Sequence, residues 1–241
     1  RFAFMIINPQ HQKIADYVRT YMLRNAQMGD PTNGTRRATA RYWHSLNVYN
    51  NINQILDGEQ AIDEEREICQ IGALFHDVDS YTVEHSYHAT RGAETAAIFL
   101  KKEGYPADLT VQVAQAIRQH DHDFDDEQPA TEQIAEMRAT LPRVSLMLLD
   151  ADLLDKIGVS NIMAAALPMG RTDKQAYEAA RELTSGWPLE RARFWRDLLT
   201  TTTGRTMGEQ RFDFYCQFLE QLKTEIVMSD PFAQVAEAAS V

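Results

Sequence analysis

The stretch Ile71-Gly72-Ala73-Leu74-Phe75-His76-Asp77 ends an apolar run with an imidazole beside a carboxylate. A buried charge is costly unless it is paired or bound to a metal, so this pair marks a candidate site at the edge of the core. Imidazole and carboxylate groups bind Mn, Fe, Zn and Mg, and such a centre activates water at neutral pH. The stretch therefore predicts the end of a buried helix that carries a metal site.

Helical periodicity extends over most of the chain on either side of this stretch. The positions of apolar residues and of start and stop signals predict helices over 9–28, 35–56, 63–76, 84–103, 108–120 and 142–157, and helical structure with breaks over 160–229. Asn8, Asp63 and Asp108 are the predicted caps. No alternating run of β-branched residues predicts a strand. The expected fold class is all-α, a single-domain helical bundle.

The hydrophobic content, the net charge and the cysteines of the chain limit the kinds of function it can have. The chain has 241 residues, is 44% hydrophobic and has a formal net charge of -11. The negative charge argues against nucleic-acid binding, which needs a basic surface, but a small anionic substrate is compatible with it because a bound metal reverses the local charge. Cys69 and Cys216 form no disulfide framework or CxxC site, which favours a reducing compartment.

Membrane association is not expected from the sequence. No apolar stretch reaches the length of about 18 residues that a bilayer-spanning helix needs, and the apolar patch over 2–7 is too short for a signal peptide. We therefore predict a cytoplasmic protein without a membrane partner. Its helical surface is compatible with a homodimer.

Isolated polar residues on several predicted helices extend the candidate metal site. His44 shares a helix face with Arg41, and Asp152 shares one with Asp155 and Lys156. Similarly, His88 shares a face with Glu84 and Arg91, while His120 ends another helix. All-α metalloenzymes build their sites from inward-pointing side chains on facing helices, so we expect these residues to converge.

An acidic stretch over 121–136 carries seven carboxylates and no Lys or Arg. Asp121, Asp123, Asp125 and Glu132 fall at calcium-ligating positions of an EF-hand loop, but Asp126 replaces the required glycine. We interpret the stretch as a solvated acidic loop without calcium.

In these motifs the sequence resembles the HD superfamily of metal-dependent phosphohydrolases. The family pattern of His, His-Asp and Asp on separate helices is similar to His44, His76-Asp77 and Asp152, in order and in spacing. The segment from Asp150 to Gly158 is similar to the last motif of a bacterial subfamily that includes nucleotide pyrophosphohydrolases. The resemblance implies an N-terminal helical extension (1–35), an HD metal-binding core (36–165), C-terminal helices packed on the core (166–229) and a loose tail (230–241).

The resemblance also implies a ligand set for one or two divalent ions of Mn, Fe, Mg or Zn. His44, His76, Asp77 and Asp152 match the four family ligands, and His88 and His120 look like the histidines that bind a second metal. Asp77 would bridge the two metals. His122 and Asp150 are spare candidates. The chain lacks the Lys after His-Asp and the GYP motif of the cyclic-dinucleotide branch, which disfavours cyclic di-GMP as the substrate.

The leading hypothesis is hydrolysis of a phosphate ester or anhydride, with a small anionic substrate such as a nucleotide. Asp77, Glu84, Arg91 and Lys156 are the candidate catalytic residues, with Glu84 or Asp155 as general acid or base. Substrate binding is assigned to Arg41, Arg91 and Lys156, because attack on phosphorus needs cations for the developing charge. The alternatives are a di-iron HD oxygenase that cleaves a carbon bond and a non-catalytic nucleotide sensor.

Overall fold

The fold is described by a computed structural model over residues 7–29, 32–80, 87–159, 162–163, 180–181, 183–184 and 186–225. Within these ranges the chain forms nine α-helices and no strand, which confirms the all-α prediction. A 3-10 turn, Pro9–His11, precedes the first helix. The helices are α1 Gln12–Gly29, α2 Gly34–Gly58, α3 Asp63–Phe75, α4 His88–Lys102, α5 Ala107–His120, α6 Ala130–Thr140, α7 Arg143–Asp155, α8 Trp187–Asp197 and α9 Thr202–Glu225.

The helix starts follow local hydrogen bonding. The side chain of Asn8 accepts from the N–H of Gln10 at 3.1 Å, so the predicted cap is confirmed. The predictions of Asp63 and Asp108 as caps were wrong, because both lie inside the first turn of their helices. In that position a carboxylate stabilises a helix through the helix dipole.

The acidic stretch does not remain a loop to its end. Helix α6 begins at Ala130 and buries Gln133 and Met137. The side-chain amide of Gln133 donates to the carbonyls of Asp125 (2.8 Å) and Gln128 (2.9 Å), and its oxygen accepts from the N–H of Asp125 at 3.1 Å. Backbone contacts with Gln133 therefore hold the loop over 121–129, and the loop interpretation was wrong for 130–136.

Helix α7 lies at the centre of the bundle. All of its residues from Met147 to Leu154 are buried, so this part of the helix presents no face to solvent. Its neighbours are α2, α3, α5, α6, α8 and α9. A helix buried on all sides must supply partners for any polar side chain it carries. Asp150 and Asp152 are the two carboxylates in this position.

Helix α3 ends at the turn that carries His76 and Asp77. A Cβ added at Gly92 of α4 would lie 3.0 Å from the carbonyl oxygen of His76, so glycine permits the close approach of α4 to this turn. Asp79, buried in the same turn, accepts from the hydroxyls of Tyr21 of α1 (3.0 Å) and Thr95 of α4 (2.5 Å). The turn is therefore fixed from two sides.

Helices α1 and α2 cover the α3 side of this core, and α1 packs against both α2 and α3. Among the described helices, none is long and apolar enough to cross a membrane.

Candidate metal centre

Five segments bring the six predicted ligands together. Buried or nearly buried side chains come from the middle of α2, the turn after α3, the start of α4, the end of α5 and the last turn of α7: His44, His76, Asp77, His88, His120 and Asp152. The convergence agrees with the expectation that each helix contributes an inward-pointing residue.

The first half of this cluster surrounds the Nε2 atom of His44. That atom lies 3.1 Å from the Nε2 of His76, 3.1 Å from Asp152 Oδ1 and 3.7 Å from Asp77 Oδ2. His76 Nε2 is 4.0 Å from the same oxygen of each carboxylate. Two imidazole nitrogens and two carboxylate oxygens thus face a common centre.

Asp152 Oδ1 is the most informative atom of this half. It is buried and accepts no well-directed hydrogen bond among the described residues; His44 Nε2, 3.1 Å away, forms an ion pair with it when the ring is protonated. Its other oxygen, Oδ2, accepts from Lys156 Nζ at 2.8 Å. A buried carboxylate oxygen without a hydrogen bond is costly, and ligation of a cation would satisfy it. The donor set therefore fits a divalent metal.

The second half of the cluster shares Asp77 with the first. Asp77 Oδ1 lies 3.3 Å from His88 Nε2, while Oδ2 faces His44. Asp77, His88 and His120 offer ligand atoms that all lie within 4.8 Å of one another, as do His44, His76 and Asp77. The two oxygens of Asp77 thus point into two adjacent groups, which is the arrangement expected of a bridging carboxylate.

Two of the histidines are oriented by backbone carbonyls. His76 Nδ1 donates to the carbonyl of Ala73 at 2.9 Å, and His120 Nδ1 donates to that of Ile117 at 2.6 Å. A carbonyl accepts only, so each Nδ1 carries the proton and each Nε2 keeps a lone pair. Both lone pairs are available to a metal.

The other two histidines are oriented by carboxylates. His44 Nδ1 lies 2.7 Å from Asp155 Oδ2, and Asn47 donates to Asp155 Oδ1 at 3.1 Å. His88 Nδ1 lies 3.5 Å from Asp121 Oδ2. A carboxylate behind a ligating imidazole fixes its tautomer and increases its basicity. The sequence interpretation missed this role of Asp155 and Asp121, although each lies next to or near a predicted ligand in sequence.

The acidic groups of the cluster are held ionised. Burial acts to raise the pKa of Asp152, but Lys156 and His44 outweigh it and hold that pKa well below its usual range. Burial acts in the same way on Asp77, and the neighbouring His76 and Arg41 outweigh it, so its pKa is lowered as well. Both carboxylates are therefore in the form that binds metal.

The histidines differ in protonation when no metal is bound. Burial lowers the pKa of His76, and it lowers that of His120 to about 4, so both rings are neutral at pH 7. For His44 burial also acts to lower the pKa, but the carboxylates of Asp152 and Asp155 outweigh it and raise the value to about 10. His44 therefore holds a second proton, which an ion bound at its Nε2 would have to displace.

Two predicted cations lie at the cluster. Arg41 donates to Asp77 Oδ2 at 2.7 Å, and its side chain is 40% exposed. Lys156, equally exposed, donates to Asp152. Both cations thus reach from solvent to a ligand carboxylate, where an incoming anion would meet them.

Arg91 is placed differently. Its guanidinium is 54% exposed and pairs with Glu94 at 2.8 Å, on the surface of α4. The described contacts do not bring it to a cluster carboxylate, and its catalytic and substrate-binding roles stay predictions. Glu84 lies outside the described residues.

The two spare candidates have other partners. Both oxygens of Asp150 accept hydrogen bonds from Thr200 and Thr201, at distances between 2.7 and 3.0 Å. The ring of His122 packs against that of Phe124, with centroids 5.1 Å apart. Asp150 therefore serves the packing of α7 against the start of α9, and His122 belongs to the loop after α5.

Comparisons with known proteins agree with this geometry. The HD domain family model matches residues 41–157, a range that contains all six predicted ligands. By sequence, no curated protein is similar enough to this chain to count as a match.

Solved structures share the fold at low identity. A predicted HD superfamily hydrolase from an uncultured Thermotogales bacterium is 21% identical with a TM-score of 0.55, covering 89% of this chain and 92% of that one. An HD-superfamily hydrolase from Bacillus thuringiensis is 17% identical with a TM-score of 0.58, covering 89% and 97%. Bacillus subtilis YpgQ, in complex with ADP, is 20% identical with a TM-score of 0.56, covering 89% and 95%.

Proposed function

Since residues 41–157 of this chain are an HD domain, we propose that the protein is a metal-dependent phosphohydrolase that cleaves a phosphate ester or anhydride, with a nucleotide as its substrate. The observation that carries the proposal is the buried Asp152 Oδ1, which has no hydrogen bond and faces two imidazole nitrogens. The neutral imidazole of His76 has a lone pair for a metal at the same centre. The cations Arg41 and Lys156 lie beside it, where they can attract an anion.

The ligand residues would hold one or two ions of Mn, Fe, Mg or Zn. A metal in this position lowers the pKa of water and polarises a phosphoryl oxygen. His44, His76, Asp77 and Asp152 would hold the first ion, and Asp77, His88 and His120 the second. Asp77 is also proposed as a catalytic residue. Each of its oxygens faces one half of the cluster, so it would hold the two ions in place relative to each other.

Cations at the rim would bind the substrate. Arg41 and Lys156 each contact a ligand carboxylate and remain 40% exposed, so their remaining N–H groups can meet a phosphate. Charge developing on phosphoryl oxygens is stabilised by donors that are already in place. Arg91 is proposed as a further cation that would have to leave Glu94, and Glu84 as the general acid or base.

A nucleotide is proposed as the substrate for two reasons. The last motif from Asp150 to Gly158 resembles that of nucleotide pyrophosphohydrolases, and YpgQ, which shares the fold, binds ADP in its crystal structure. The metal and the rim cations would compensate the negative charge of the phosphates within a chain of net charge -11.

One observation favours a second candidate function. The adjacent ligand groups that share Asp77 could hold a di-iron pair, and some HD proteins with such pairs are oxygenases that cleave a carbon bond. This candidate predicts a coloured, iron-containing protein that consumes oxygen.

The test combines metal analysis with an assay of phosphate and pyrophosphate release. The purified protein is incubated with a nucleotide panel and Mn, Mg or Fe, beside the double variant His76→Ala, Asp77→Ala. Asp57→Ala is the matched control, since its carboxylate is 74% exposed and its ion-pair partner is Arg66. We expect release from the wild type and the control, and none from the double variant.

The other outcomes separate the alternatives. Bound iron, oxygen consumption and no release from any nucleotide would replace the phosphohydrolase by the oxygenase. A nucleotide that is bound and recovered unchanged, without metal, would support the sensor and contradict hydrolysis.

A further inference from the structure

Three aromatic rings form a cluster on the surface beside the metal centre, which we name the aromatic platform: Phe124, Phe194 and Trp195. The ring centroids are 4.9 Å apart for Phe194 and Trp195, 5.7 Å for Phe124 and Trp195, and 6.4 Å for Phe124 and Phe194. Helix α8 supplies two rings and the loop after α5 supplies the third. All three side chains pack on the core and stay partly exposed.

The platform is connected to the first half of the metal centre by a side-chain contact and to the second half by the chain itself. Lys156 Nζ lies 2.8 Å from Oδ2 of the proposed ligand Asp152 and 5.1 Å from the centroid of the Trp195 ring. On the other side, Phe124 belongs to the loop that begins directly after the ligand His120. A molecule held at the metals therefore has Lys156 and then the indole ring within its reach.

A cation lies over two rings of the platform. The guanidinium of Arg191 lies 4.3 Å from the centroid of the Trp195 ring and 4.9 Å from that of Phe194. The same guanidinium binds both carboxylate oxygens of Asp126, at 3.0 and 3.1 Å, and so ties α8 to the loop. Partly exposed aromatic faces combined with Arg or Lys are the chemistry that stacks nucleobases.

Charge decides the orientation of a ligand on this surface. The loop that carries Phe124 is acidic, with Asp123, Asp125, Asp126 and Glu127 all exposed. Phosphates would be repelled from this loop and attracted to the metal centre with Arg41 and Lys156. A base is neutral and has an aromatic face, so it suits the rings where a phosphate does not.

We propose that the aromatic platform is the subsite for the base of a nucleotide, which stacks on Trp195 while the phosphates lie at the metal centre. The inference rests on the proposed function and adds to it the residues that distinguish a nucleotide from an inorganic phosphate chain. It makes Trp195 a specificity-determining residue.

The experiment compares ADP with inorganic pyrophosphate, which lacks the base and the sugar. Binding of each to the full chain with Mg²⁺ is measured by calorimetry, for the wild type, Trp195→Ala and Trp195→Phe. Loss of one stacking contact weakens binding by about tenfold or more, so we expect Trp195→Ala to reduce ADP affinity by that factor and to leave pyrophosphate affinity unchanged. Trp195→Phe should restore most of the ADP affinity.

Fluorescence supplies a readout that does not depend on activity. ADP should quench the tryptophan emission of the wild type, and this quenching should be absent in Trp195→Phe although ADP still binds. Phe214→Ala is the matched control, because Phe214 is a 49% exposed aromatic residue on α9. If Trp195→Ala does not fold, Trp195→Leu keeps an apolar side chain without an aromatic face and serves in its place.

The inference and the proposed function fail in different ways. Equal losses for ADP and pyrophosphate, or no loss for either, would overturn the base subsite even if nucleotides are hydrolysed. A loss for ADP alone, without release of phosphate from any nucleotide, would support the subsite and overturn the hydrolase.

Discussion

Two faces of helix α7 carry one buried aspartate each, and the two side chains have contrasting surroundings. On one face, Asp150 accepts hydrogen bonds at both oxygens from the backbone N–H groups and hydroxyls of Thr200 and Thr201. On the other face, Asp152 has one oxygen on Lys156 and one without a hydrogen bond, directed at the histidines. Hydrogen bonding thus distinguishes a residue that joins helices from one that can bind a metal.

Electrostatics separates the two faces in the same way. Burial raises the pKa of Asp150 to about 6 even though the threonine hydrogen bonds act to lower it. The pKa of Asp152 is held well below the usual value by Lys156 and His44. Asp150, surrounded by neutral donors, is therefore more easily protonated than an ordinary carboxyl. Asp152, next to cations, stays ionised, which is the form that binds a metal.

We call the side of α7 that carries Asp152 the metal face and the side that carries Asp150 the packing face. Removal of the carboxylate on the metal face should have the largest effect. Asp152→Ala deletes a proposed metal ligand, whose loss we expect to exceed the roughly 100-fold effect of losing an outer partner of a ligand. Metal content and phosphate release should both fall to the background of the His76→Ala, Asp77→Ala variant. A variant that retains full metal content would exclude Asp152 as a ligand.

Removal of the carboxylate on the packing face should affect stability instead. Asp150→Ala leaves the N–H groups of Thr200 and Thr201 without their acceptor, and each buried unsatisfied group costs about 1–3 kcal/mol. We expect the free energy of unfolding in urea to fall by about 2–6 kcal/mol, the sum for the two groups, while the folded variant binds its full complement of metal.

Gly204 offers an independent test of the packing face. A Cβ at this position would collide with Asp150 Oδ2 and lie 2.7 Å from Thr201 Oγ1, so Gly204→Ala should destabilise the protein without removing a hydrogen-bonding group. If either variant lost metal while it remained fully folded, the division between the two faces would be wrong.

The metal face also includes Asp155, which contacts Nδ1 of the proposed ligand His44, the ring nitrogen that does not face the cluster. Asp155→Asn keeps the shape of the side chain that holds His44 Nδ1 but removes its charge. Such changes cost about 10–100-fold in metal affinity, and we expect a loss in this range by competition with a fluorescent chelator. Asn47→Ala, which removes a donor to Asp155 and leaves the His44 contact, should have a smaller effect. Equal effects would show that Asp155 acts only through packing.

The contrast between the two faces also shows what sequence could predict. The helices and the six candidate ligands could be identified from the sequence because apolar periodicity is local, and because a charge such as Asp77 next to an apolar run stands out. Helix α6 was missed because its carboxylates obscure a narrow buried face of Gln133 and Met137.

Contacts between distant segments could not be predicted in this way. The pairing of His44 with Asp155 and that of Asp150 with Thr200 join residues 111 and 50 positions apart. They depend on how α7 packs against α2 and α9, which periodicity does not specify. Asp150 and Asp152 therefore look alike in sequence, and only the resemblance to a family distinguished them.

The last expected effect concerns the proton that His44 holds before a metal binds. Without metal, the pKa of His44 is raised to about 10, whereas His76 and His120 are neutral at pH 7. A raised pKa stabilises the metal-free fold fully below the unfolded value of about 6.5, and this contribution is lost as the pH rises through about 10. Metal binding must displace this proton, so affinity should rise by about tenfold per pH unit between those values.

The pH dependence of metal affinity should depend on the residues of the metal face and not on those of the packing face. Above pH 7 the carboxyl of Asp150 is mostly ionised, since its pKa is about 6, and there the Asp150→Ala variant should show the same slope as the wild type. Asp155→Asn should show a smaller slope, because one of the carboxylates that raise the pKa of His44 is then gone. Chelator competition at several pH values, corrected for the titration of the chelator, measures all three slopes. A pH-independent affinity would mean that His44 carries no proton before the metal binds, and that the carboxylates of this face act on the metal directly.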